Sequence, residues 1–341
     1  MSISVIDSFG AANDTEIPSL ALILDPIEMQ QKFTHCLMRL TGEHGFVSLQ
    51  AIRVTRHKPG RRCVIEYEVM VERPDVSSET MVLIGKVRSR HRGKAGYQLL
   101  DSFWNAGFQA DSNDGVSVPE PVGFVPEYRL WLQHKVPGRV ATDLLKTPDG
   151  KVIVRHIAEA AYKLHQADIP VRRNHTMLDE LRILREKLPI VTQMKPLWSE
   201  RIERILEASA RLGTGVREPV PQGIHRDFYA DQVIVDGTRL YIIDFDLYCK
   251  GDPGLDIGNF IGHITEQSLR TLGCPEALLD IERAMEERFV ELSGEKTRIS
   301  MQVYAILTLV RHIYLSTLFP ERQKFTESLI ALCEDRLKIK Q

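Results

Sequence analysis

The chain has 341 residues, enough for two domains of about 150 residues each. Hydrophobic residues make up 43% and charged residues 26%, which excludes a disordered chain and a small disulfide scaffold. The 44 basic and 46 acidic residues leave a net charge of −2, so we expect no nucleic-acid partner. The five cysteines are scattered without a C-x-x-C pair, and no signal-peptide or membrane-spanning pattern is visible, so we expect a cytoplasmic protein without a membrane partner.

The first 44 residues are predicted to be an N-terminal extension with one helix. Residues 1–20 are polar and predict no regular structure. Residues 25–40 start with Asp25-Pro26 and carry apolar residues at helical spacing, which is typical of a helix that begins there.

Residues 45–138 change from the helical period to the alternating period of a β-strand. The sequence Lys58-Pro59-Gly60-Arg61 is typical of a type II turn, because Pro presets φ and Gly accepts a positive φ. We therefore predict an antiparallel meander followed by a helix and two more strands. The predicted strands cover residues 47–56, 63–72, 80–88, 122–125 and 128–136, and the helix covers 94–106.

Residues 139–341 are mostly helical in pattern, with one interruption. Two short apolar strands flank Asp236-Gly237, which is a strong hairpin turn signal. The fold class is therefore α+β, with a strand-rich first part and a helical second part.

Two acidic motifs surround this hairpin. His225-Arg226-Asp227 precedes its first strand, and Asp244-Phe245-Asp246 follows its second strand. Phosphoryl transfer needs two carboxylates of this kind, one that orients the attacking hydroxyl and one that holds Mg²⁺ on the nucleotide phosphates. The alternative is an ordinary hairpin with surface aspartates.

The segments HRDFYADQ, IIDFD and GDPGLDIGNF resemble the aminoglycoside phosphotransferase family, which has a bilobal protein-kinase-like fold. The resemblance implies an antiparallel-sheet N-lobe over 45–138 and a mainly helical C-lobe over 139–341. It implies ATP (or GTP) and Mg²⁺ as cofactors. Asp227 is then the catalytic base, with His225 as a second catalytic residue of the same loop. Asp244 is a Mg²⁺ ligand, and Asp256 is a buried carboxylate that braces the loop.

The resemblance also implies a nucleotide site in the N-lobe. Lys86 matches the lysine that contacts the nucleotide phosphates. The hinge that reads adenine through its backbone corresponds to Gln133, His134 and Lys135, just before Pro137-Gly138. The helix after Lys86 contains no Glu, so we predict an ion pair between Lys86 and Asp101, which lies on an apolar stripe, with Gln98 as the alternative partner.

Two departures from the family pattern leave alternatives open. The 58–61 turn has a single glycine, so Lys58 and Arg61 are expected to contact phosphates, unless the turn is merely a solvated basic loop. The family has Asn where this chain has Gln232. Gln232 is either a metal ligand, with Asp246 compensating for its longer side chain, or a polar residue at the start of a strand.

The predicted function is an ATP-dependent transfer of the γ-phosphoryl group to a hydroxyl of an aminoglycoside, sugar or amino alcohol. A protein substrate is disfavoured, because only twelve positions separate Asp244 from Asp256 and no A-P-E motif follows. The main alternative is a catalytically silent nucleotide-binding module. A weaker alternative is a nucleic-acid-associated protein that uses the basic stretch 86–94. The acidic segment 265–295 indicates either a cationic acceptor or an exposed helix face.

Overall fold

The computed structural model describes residues 3–42, 45–73, 76–89, 93–217 and 219–339. The chain divides into two compact units. The first contains residues 1–137 and 241–245, and the second contains 138–240 and 246–341. No helix in the described ranges has the length and apolarity needed to cross a bilayer.

A six-stranded sheet forms the centre of the first unit, in the order β1-β2-β3-β4-β7-β6. The predicted meander is confirmed, because β2, β3 and β4 pair antiparallel in sequence order. The predicted turn between β2 and β3 is also confirmed: the Arg61 N–H donates to the Lys58 carbonyl at 3.0 Å, and Gly60 has a φ of +65°. The strands are β1 Ser4–Ile6, β2 Phe46–Lys58, β3 Arg62–Arg73, β4 Val76–Arg88, β5 Val116–Ser117, β6 Pro121–Val125 and β7 Leu130–His134.

The N-terminal extension has more structure than the single predicted helix. Residues 4–6 add β1 to the sheet as a parallel strand beside β2. Three helices follow where one was expected, and their buried side chains join the core of the sheet. The Tyr67 hydroxyl donates to the Ile23 carbonyl at 3.1 Å, and Phe33 packs edge-on against the same ring. The helices of this unit are α1 Ser19–Ile23, α2 Pro26–Cys36, α3 Met38–Thr41 and α4 Gly93–Asn105.

The second unit is mainly helical, as predicted. Its centre is the packing of α9 on α11, where Gly258 and Gly262 permit close approach. A Cβ on Gly258 would lie 2.5 Å from the Met301 carbonyl oxygen, so a larger residue would separate the helices. The helices are α5 Ala141–Leu144, α6 Gly150–Gln166, α7 Met177–Met194, α8 Ser199–Thr214, α9 Pro253–Leu272, α10 Leu279–Ser293, α11 Thr297–Thr317 and α12 Thr326–Arg336.

Short strands interrupt the helices, and the sequence predicted those that flank Asp236-Gly237 but not those at 139–140, 222–224 and 249–251. β9 and β12 pair antiparallel, and so do β8 and β10. The turn after β10 contains Gly237 with a φ of +57°, in agreement with the predicted Asp-Gly turn. The strands are β8 Arg139–Val140, β9 Gln222–Ile224, β10 Val233–Asp236, β11 Arg239–Ile242 and β12 Cys249–Gly251.

Candidate active site

Asp256, in the first turn of α9, fixes the backbone of the loop that carries Asp227. The Asp256 carboxylate is 1% exposed. It accepts hydrogen bonds from the backbone N–H groups of His225 at 2.8 Å and Arg226 at 2.7 Å. His165 Nε2 lies 2.8 Å from the same carboxylate. Asp256 therefore braces the loop, as the resemblance implied.

Asn259, one turn further along α9, holds the other end of this loop. Its side-chain amide donates to the Phe228 carbonyl at 2.9 Å, and the Phe228 ring is fully buried. Asp227 stands between these fixed points and is half-buried, so its carboxylate remains accessible. Arg226 has a φ of +71°, a conformation that costs a non-glycine residue free energy and persists only where its surroundings impose it.

Asn259 is itself the last member of a buried polar chain. Arg311 on α11 donates one guanidinium N–H to the Asn259 side-chain oxygen and another to Glu180 at 3.3 Å. Glu180 Oε1 lies 2.6 Å from His175 Nε2. Burial alone would raise the pKa of Glu180, but the His175 hydrogen bond and the Arg311 charge hold that pKa below its ordinary value. Glu180 therefore remains ionised and can orient Arg311.

Gln232 ends the short 3₁₀ turn Ala230–Gln232 that follows the loop. Its backbone N–H donates to the Tyr229 carbonyl at 2.9 Å. The residue is only 7% exposed, yet its side-chain amide has no hydrogen-bond partner within the described part of the chain. The amide atoms are not fully buried, so they can be solvated or can meet a ligand.

In the first unit, Lys86 on β4 lies near Asp244. The Lys86 ammonium lies 4.8 Å from the centre of the Trp131 ring on β7. Burial lowers the pKa of Lys86, and the positive charges of Arg88 and Arg62 lower it further, whereas the negative charge of Asp244 raises it. The Lys86 ammonium and the Asp244 carboxylate thus interact electrostatically, but no hydrogen bond or ion pair joins them in the described ranges.

The segment after β11 is anchored by the aromatic residue between the two aspartates. Phe245 stacks on Phe103 of α4, with ring centres 4.5 Å apart and an interplanar angle of 27°. Asp244 has a φ of +63°, in the left-handed region that few residues other than glycine adopt, although aspartate is among those enriched there. Asp246 follows in the 3₁₀ turn Phe245–Leu247 and is half-buried. Its role as a metal ligand stays a prediction.

The predicted hinge is the end of β7. Gln133 is buried, and the backbone N–H groups of His134 and Lys135 donate to the carbonyls of Glu120 and Val82. The Lys135 ammonium pairs with Glu66 at 2.7 Å. Both of these N–H groups are therefore engaged within the sheet. In the described ranges, no backbone carbonyl accepts a hydrogen bond from the next N–H group, that of Val136.

The basic turn 58–61 is anchored by the N-terminal extension. Asp14 accepts the Gly60 N–H at 2.9 Å and lies 2.8 Å from His57 Nε2. Burial lowers the pKa of Lys58, and the charges of Arg62, Arg56 and Arg61 lower it further. The Gly60 N–H is thus already bonded, which leaves the cationic side chains as the groups that could meet a phosphate.

The comparison with known families decides the assignment. The sequence model of the phosphotransferase enzyme family (APH) matches residues 97–286, more than half of the chain. The chain belongs to this phosphotransferase family. A search of curated proteins found no match to this sequence.

Solved structures share the fold of this phosphotransferase. A thermostable mutant of the aminoglycoside phosphotransferase APH(4)-Ia, in ternary complex with AMP-PNP and hygromycin B, is similar with a TM-score of 0.57 and 15% identity, over 85% of this chain and 94% of that one. A choline/ethanolamine kinase family protein from Mesorhizobium loti is similar with a TM-score of 0.57 and 13% identity, over 92% and 94% of the two chains. The predicted α+β, protein-kinase-like fold is therefore confirmed.

The predicted ion pair between Lys86 and Asp101 is wrong for this phosphotransferase. Asp101 pairs with Arg39 at 2.7 Å, and it accepts a second hydrogen bond from Asn105 at 3.2 Å. The sequence argument assumed that Asp101 lay on a buried stripe. The buried face of α4 is instead centred on Leu100 and Phe103, so Asp101 lies at its edge, where α3 of the extension supplies Arg39.

His225 is also misassigned as a catalytic residue. Its side chain is fully buried against the Phe228 ring, with ring centres 5.6 Å apart, and cannot contact a bound acceptor. Its backbone N–H contributes to the loop by donating to Asp256. Its role is therefore to position the loop.

Sequence reasoning missed the polar chain behind the loop in this phosphotransferase. Arg311 interrupts the apolar run of α11, which was a signal that a charged partner had to be found in the core. Its partners Glu180 and Asn259 come from α7 and α9. No local pattern connects these helices. Of the basic stretch 86–94, Arg90 and Arg92 lie outside the described residues.

Proposed function

We propose that this phosphotransferase moves the γ-phosphoryl group of ATP to a hydroxyl group of a small molecule. The observation that carries the proposal is the position of Asp227. It is half-buried, and Asp256 and Asn259 fix the backbone on both sides of it through three hydrogen bonds. A carboxylate held rigidly and left accessible is what a group that orients a reacting hydroxyl requires.

In the proposed reaction, the acceptor hydroxyl donates a hydrogen bond to Asp227. The hydroxyl oxygen forms a bond to the γ-phosphorus as the bond to the β-phosphate oxygen breaks, and ADP leaves. Asp227 takes the hydroxyl proton. Lys86 neutralises charge on the phosphates, and its lowered pKa reflects a partly desolvated ammonium that a phosphate would stabilise.

The oxygen donors of this chain fit Mg²⁺. Mg²⁺ in nucleotide enzymes is held by one or two carboxylates together with phosphate oxygens and water, so it needs no cluster of protein ligands. None of the described residues form a cluster of three or more His, Cys, Asp or Glu side chains. Asp244 would supply the carboxylate, Gln232 has an unpartnered amide, and Asp246 is a further candidate. When bound, the ion would neutralise charge that develops on the transferred group.

The hinge supports a purine nucleotide. The Val136 N–H can donate to a ring nitrogen of adenine, because it has no backbone acceptor in the described part of the chain. The neighbouring N–H groups of His134 and Lys135 are engaged in the sheet. We therefore assign the adenine contact to the Val136 N–H, and GTP remains the alternative phosphoryl donor.

Calorimetry with ATP and GTP, each with and without Mg²⁺, tests the proposal. We expect micromolar to millimolar binding of one nucleotide that strengthens with Mg²⁺. A panel of sugars, amino alcohols and aminoglycosides, followed by ADP release, then tests transfer. Asp227→Asn is the control, since it removes the base and keeps the shape of the loop.

The outcomes separate the candidate functions. Absence of nucleotide binding at millimolar concentration contradicts the proposal. Nucleotide binding without ADP release in the presence of any acceptor, and without hydrolysis, would instead identify a silent nucleotide-binding module.

A further inference from the structure

A buried carboxylate joins the N-terminal extension to the 58–61 turn. One oxygen of Asp14 accepts the Gly60 N–H at 2.9 Å and lies 2.8 Å from His57 Nε2. The other oxygen accepts two backbone N–H groups of its own segment, at 2.9 and 3.2 Å. The side chains of Asp14 and His57 are only 4% and 5% exposed. Each oxygen of one carboxylate therefore serves a different part of the chain.

Asp14 is a firm anchor because its segment belongs to the core of the first unit. Ala11 and Ile17, on either side of it, are 0% and 3% exposed and pack in the apolar cluster that covers the sheet. Burial alone would raise the pKa of Asp14, but hydrogen bonds from Gly60, His57 and its own segment hold that pKa below its ordinary value. The carboxylate is therefore ionised near pH 7, and charge-assisted hydrogen bonds of this kind are roughly twice as strong as neutral ones.

The strand register separates this anchor from a charged face of the sheet. His57 pairs with Cys63, and Cys63 pairs with Val87, and the last two side chains are buried in the core. The next cross-strand row consists of three cations, Lys58, Arg62 and Arg88. Successive side chains of a strand point to opposite faces. This cation row therefore lies on the face of the sheet opposite to Asp14.

The cation row shares its face with Lys86. Lys86 precedes Arg88 by two residues on β4, which places both side chains on one side of the sheet. Burial lowers the pKa of both Lys58 and Lys86, and the charge of Arg62 lowers both further. Repulsion among cations collected in this way favours a polyanion between them. The row thus extends the proposed phosphate site from Lys86 to the turn.

Three carboxylates lie near the cation row. Asp244 is the proposed ligand of Mg²⁺, and Glu66 already forms an ion pair of 2.7 Å with a lysine of the hinge. Glu16 lies beside Gly60, where a Cβ would collide with its carboxylate. The three cations of the row together with Lys86 exceed these charges, because Glu66 is paired and Asp244 is assigned to the metal. The balance on this face therefore remains positive.

We propose that Asp14 is a positioning residue for nucleotide binding. By holding the Gly60 N–H and the His57 ring, it keeps the turn in the conformation that presents the cation row to the nucleotide phosphates. This inference rests on the proposed function. Because the turn is fixed in advance, less entropy is lost when the phosphates bind. The family model begins to match at residue 97, so Asp14 lies outside the part of the chain that the family defines.

ATP and adenosine distinguish positioning from a purely structural role, because adenosine lacks the phosphates. Asp14→Asn keeps the size of the side chain, but its single oxygen cannot serve both its own segment and the turn. We expect it to weaken ATP binding at least tenfold, measured by calorimetry at saturating Mg²⁺, and to leave adenosine binding within about twofold of the wild type. In steady-state kinetics the KM for ATP should rise by a similar factor, while kcat at saturating ATP stays within about twofold.

Asp7→Asn is the matched control in the same segment. Asp7 accepts three backbone N–H groups of residues 9–12, at 3.3, 3.0 and 3.0 Å, and forms no hydrogen bond with the turn in the described ranges. The control should lower the Tm and keep the affinity for both ligands within about twofold.

Two further variants test the proposal even if Asp14→Asn does not fold. His57→Leu removes the ring donor from the same contact and should weaken ATP binding at least threefold without affecting adenosine. Lys58→Met, at an exposed position that folding does not require, should also weaken ATP binding at least threefold. In the Lys58→Met background the effect of Asp14→Asn on ATP should be at least threefold smaller, because Asp14 acts through this cation.

Equal loss of ATP and adenosine affinity in Asp14→Asn or His57→Leu would show that Asp14 only stabilises the fold and would overturn the inference. So would ATP affinity within twofold of the wild type in Asp14→Asn or Lys58→Met, or the same selective loss in Asp7→Asn. Failure of the wild type to bind ATP is a different result, because it contradicts the proposed function itself.

Discussion

The side-chain amide of Asn259 donates a hydrogen bond of 2.9 Å to the carbonyl of Phe228, the residue directly after Asp227. The side-chain oxygen of Asn259 in turn accepts from Arg311, which is paired with Glu180. The orientation of the proposed base therefore depends on a charge pair on two other helices. Removing one member of a buried pair leaves the other unpaired, and this typically costs about 3–5 kcal/mol of stability.

Glu180→Gln should therefore impair catalysis as well as stability. With the Glu180 charge removed, Arg311 loses the partner that orients it toward Asn259. We expect kcat to fall at least tenfold, equivalent to about 1.4 kcal/mol of transition-state stabilisation, with the KM for nucleotide unchanged. Steady-state kinetics at a temperature well below the Tm of the variant measures both parameters.

Glu334→Gln is the matched control for this change. Glu334 is 5% exposed, against 4% for Glu180, and pairs with two nitrogens of Arg201 at 2.8 and 2.6 Å, on helices away from the loop. It should lower the Tm to a similar extent and leave kcat intact. If both variants lose kcat in proportion to their loss of Tm, the chain through Asn259 has only a structural role.

Asp227 and Asp244 are predicted to divide the work of the reaction. Asp227→Asn should reduce turnover at least a thousandfold and keep nucleotide affinity within about twofold, because the base faces the acceptor. Asp244→Asn should weaken the binding of Mg²⁺-nucleotide at least tenfold, because it removes the carboxylate for the metal. Calorimetry and ADP-release kinetics on both variants provide the test. Equal loss of nucleotide affinity in the two variants would show that this division is incorrect.

Gln232 is expected to act as a ligand of the metal. Gln232→Ala should then lower turnover at least tenfold at saturating Mg²⁺, equivalent to about 1.4 kcal/mol. Gln232→Asn, which restores the residue of the family pattern, should preserve or raise turnover. The experiment is a Mg²⁺ titration of ADP release for the three proteins. If the turnover of the alanine variant is within twofold of the wild type, Gln232 is instead only a polar residue at the start of the strand.

Glu282 should make the stability of the protein depend on pH. Burial raises the pKa of Glu282 to about 7 in the folded protein from an ordinary 4.5. The folded state thus binds the proton more tightly than the unfolded state. The contribution of Glu282 to the stability of the protein is therefore full below about pH 4.5 and is lost as pH rises through 7. Glu282→Gln keeps the acceptor for Thr265 and removes the titration. Between pH 5 and pH 8 we expect the free energy of unfolding to fall less in the variant than in the wild type, by on the order of 1–3 kcal/mol.

Urea unfolding of wild type and variant at both pH values measures this difference. Glu287→Gln, at an exposed position on the same helix, is the control and should change the free energy of unfolding by the same small amount at pH 5 and pH 8. A constant difference between Glu282→Gln and wild type across this range would contradict the prediction.

Local patterns determined the elements that lie close together in sequence. The β2–β3–β4 meander follows from alternating apolar residues and a turn with Gly60 at positive φ. Asp256 could be expected to brace the loop, because the motif around it was specific and the structure shows it bonded to His225 and Arg226. These features were accessible because residue spacing and backbone preference are properties of short segments.

Only the tertiary structure decided which partner each charged side chain takes. Asp101 pairs with Arg39, 62 positions away, and Arg311 pairs with Glu180, 131 positions away. No spacing rule relates such positions, since the packing of whole helices and the sheet brings them together. A buried or half-buried charge must find an opposite charge or a hydrogen bond, and the sequence shows that this need exists. The three-dimensional arrangement alone shows which residue meets it.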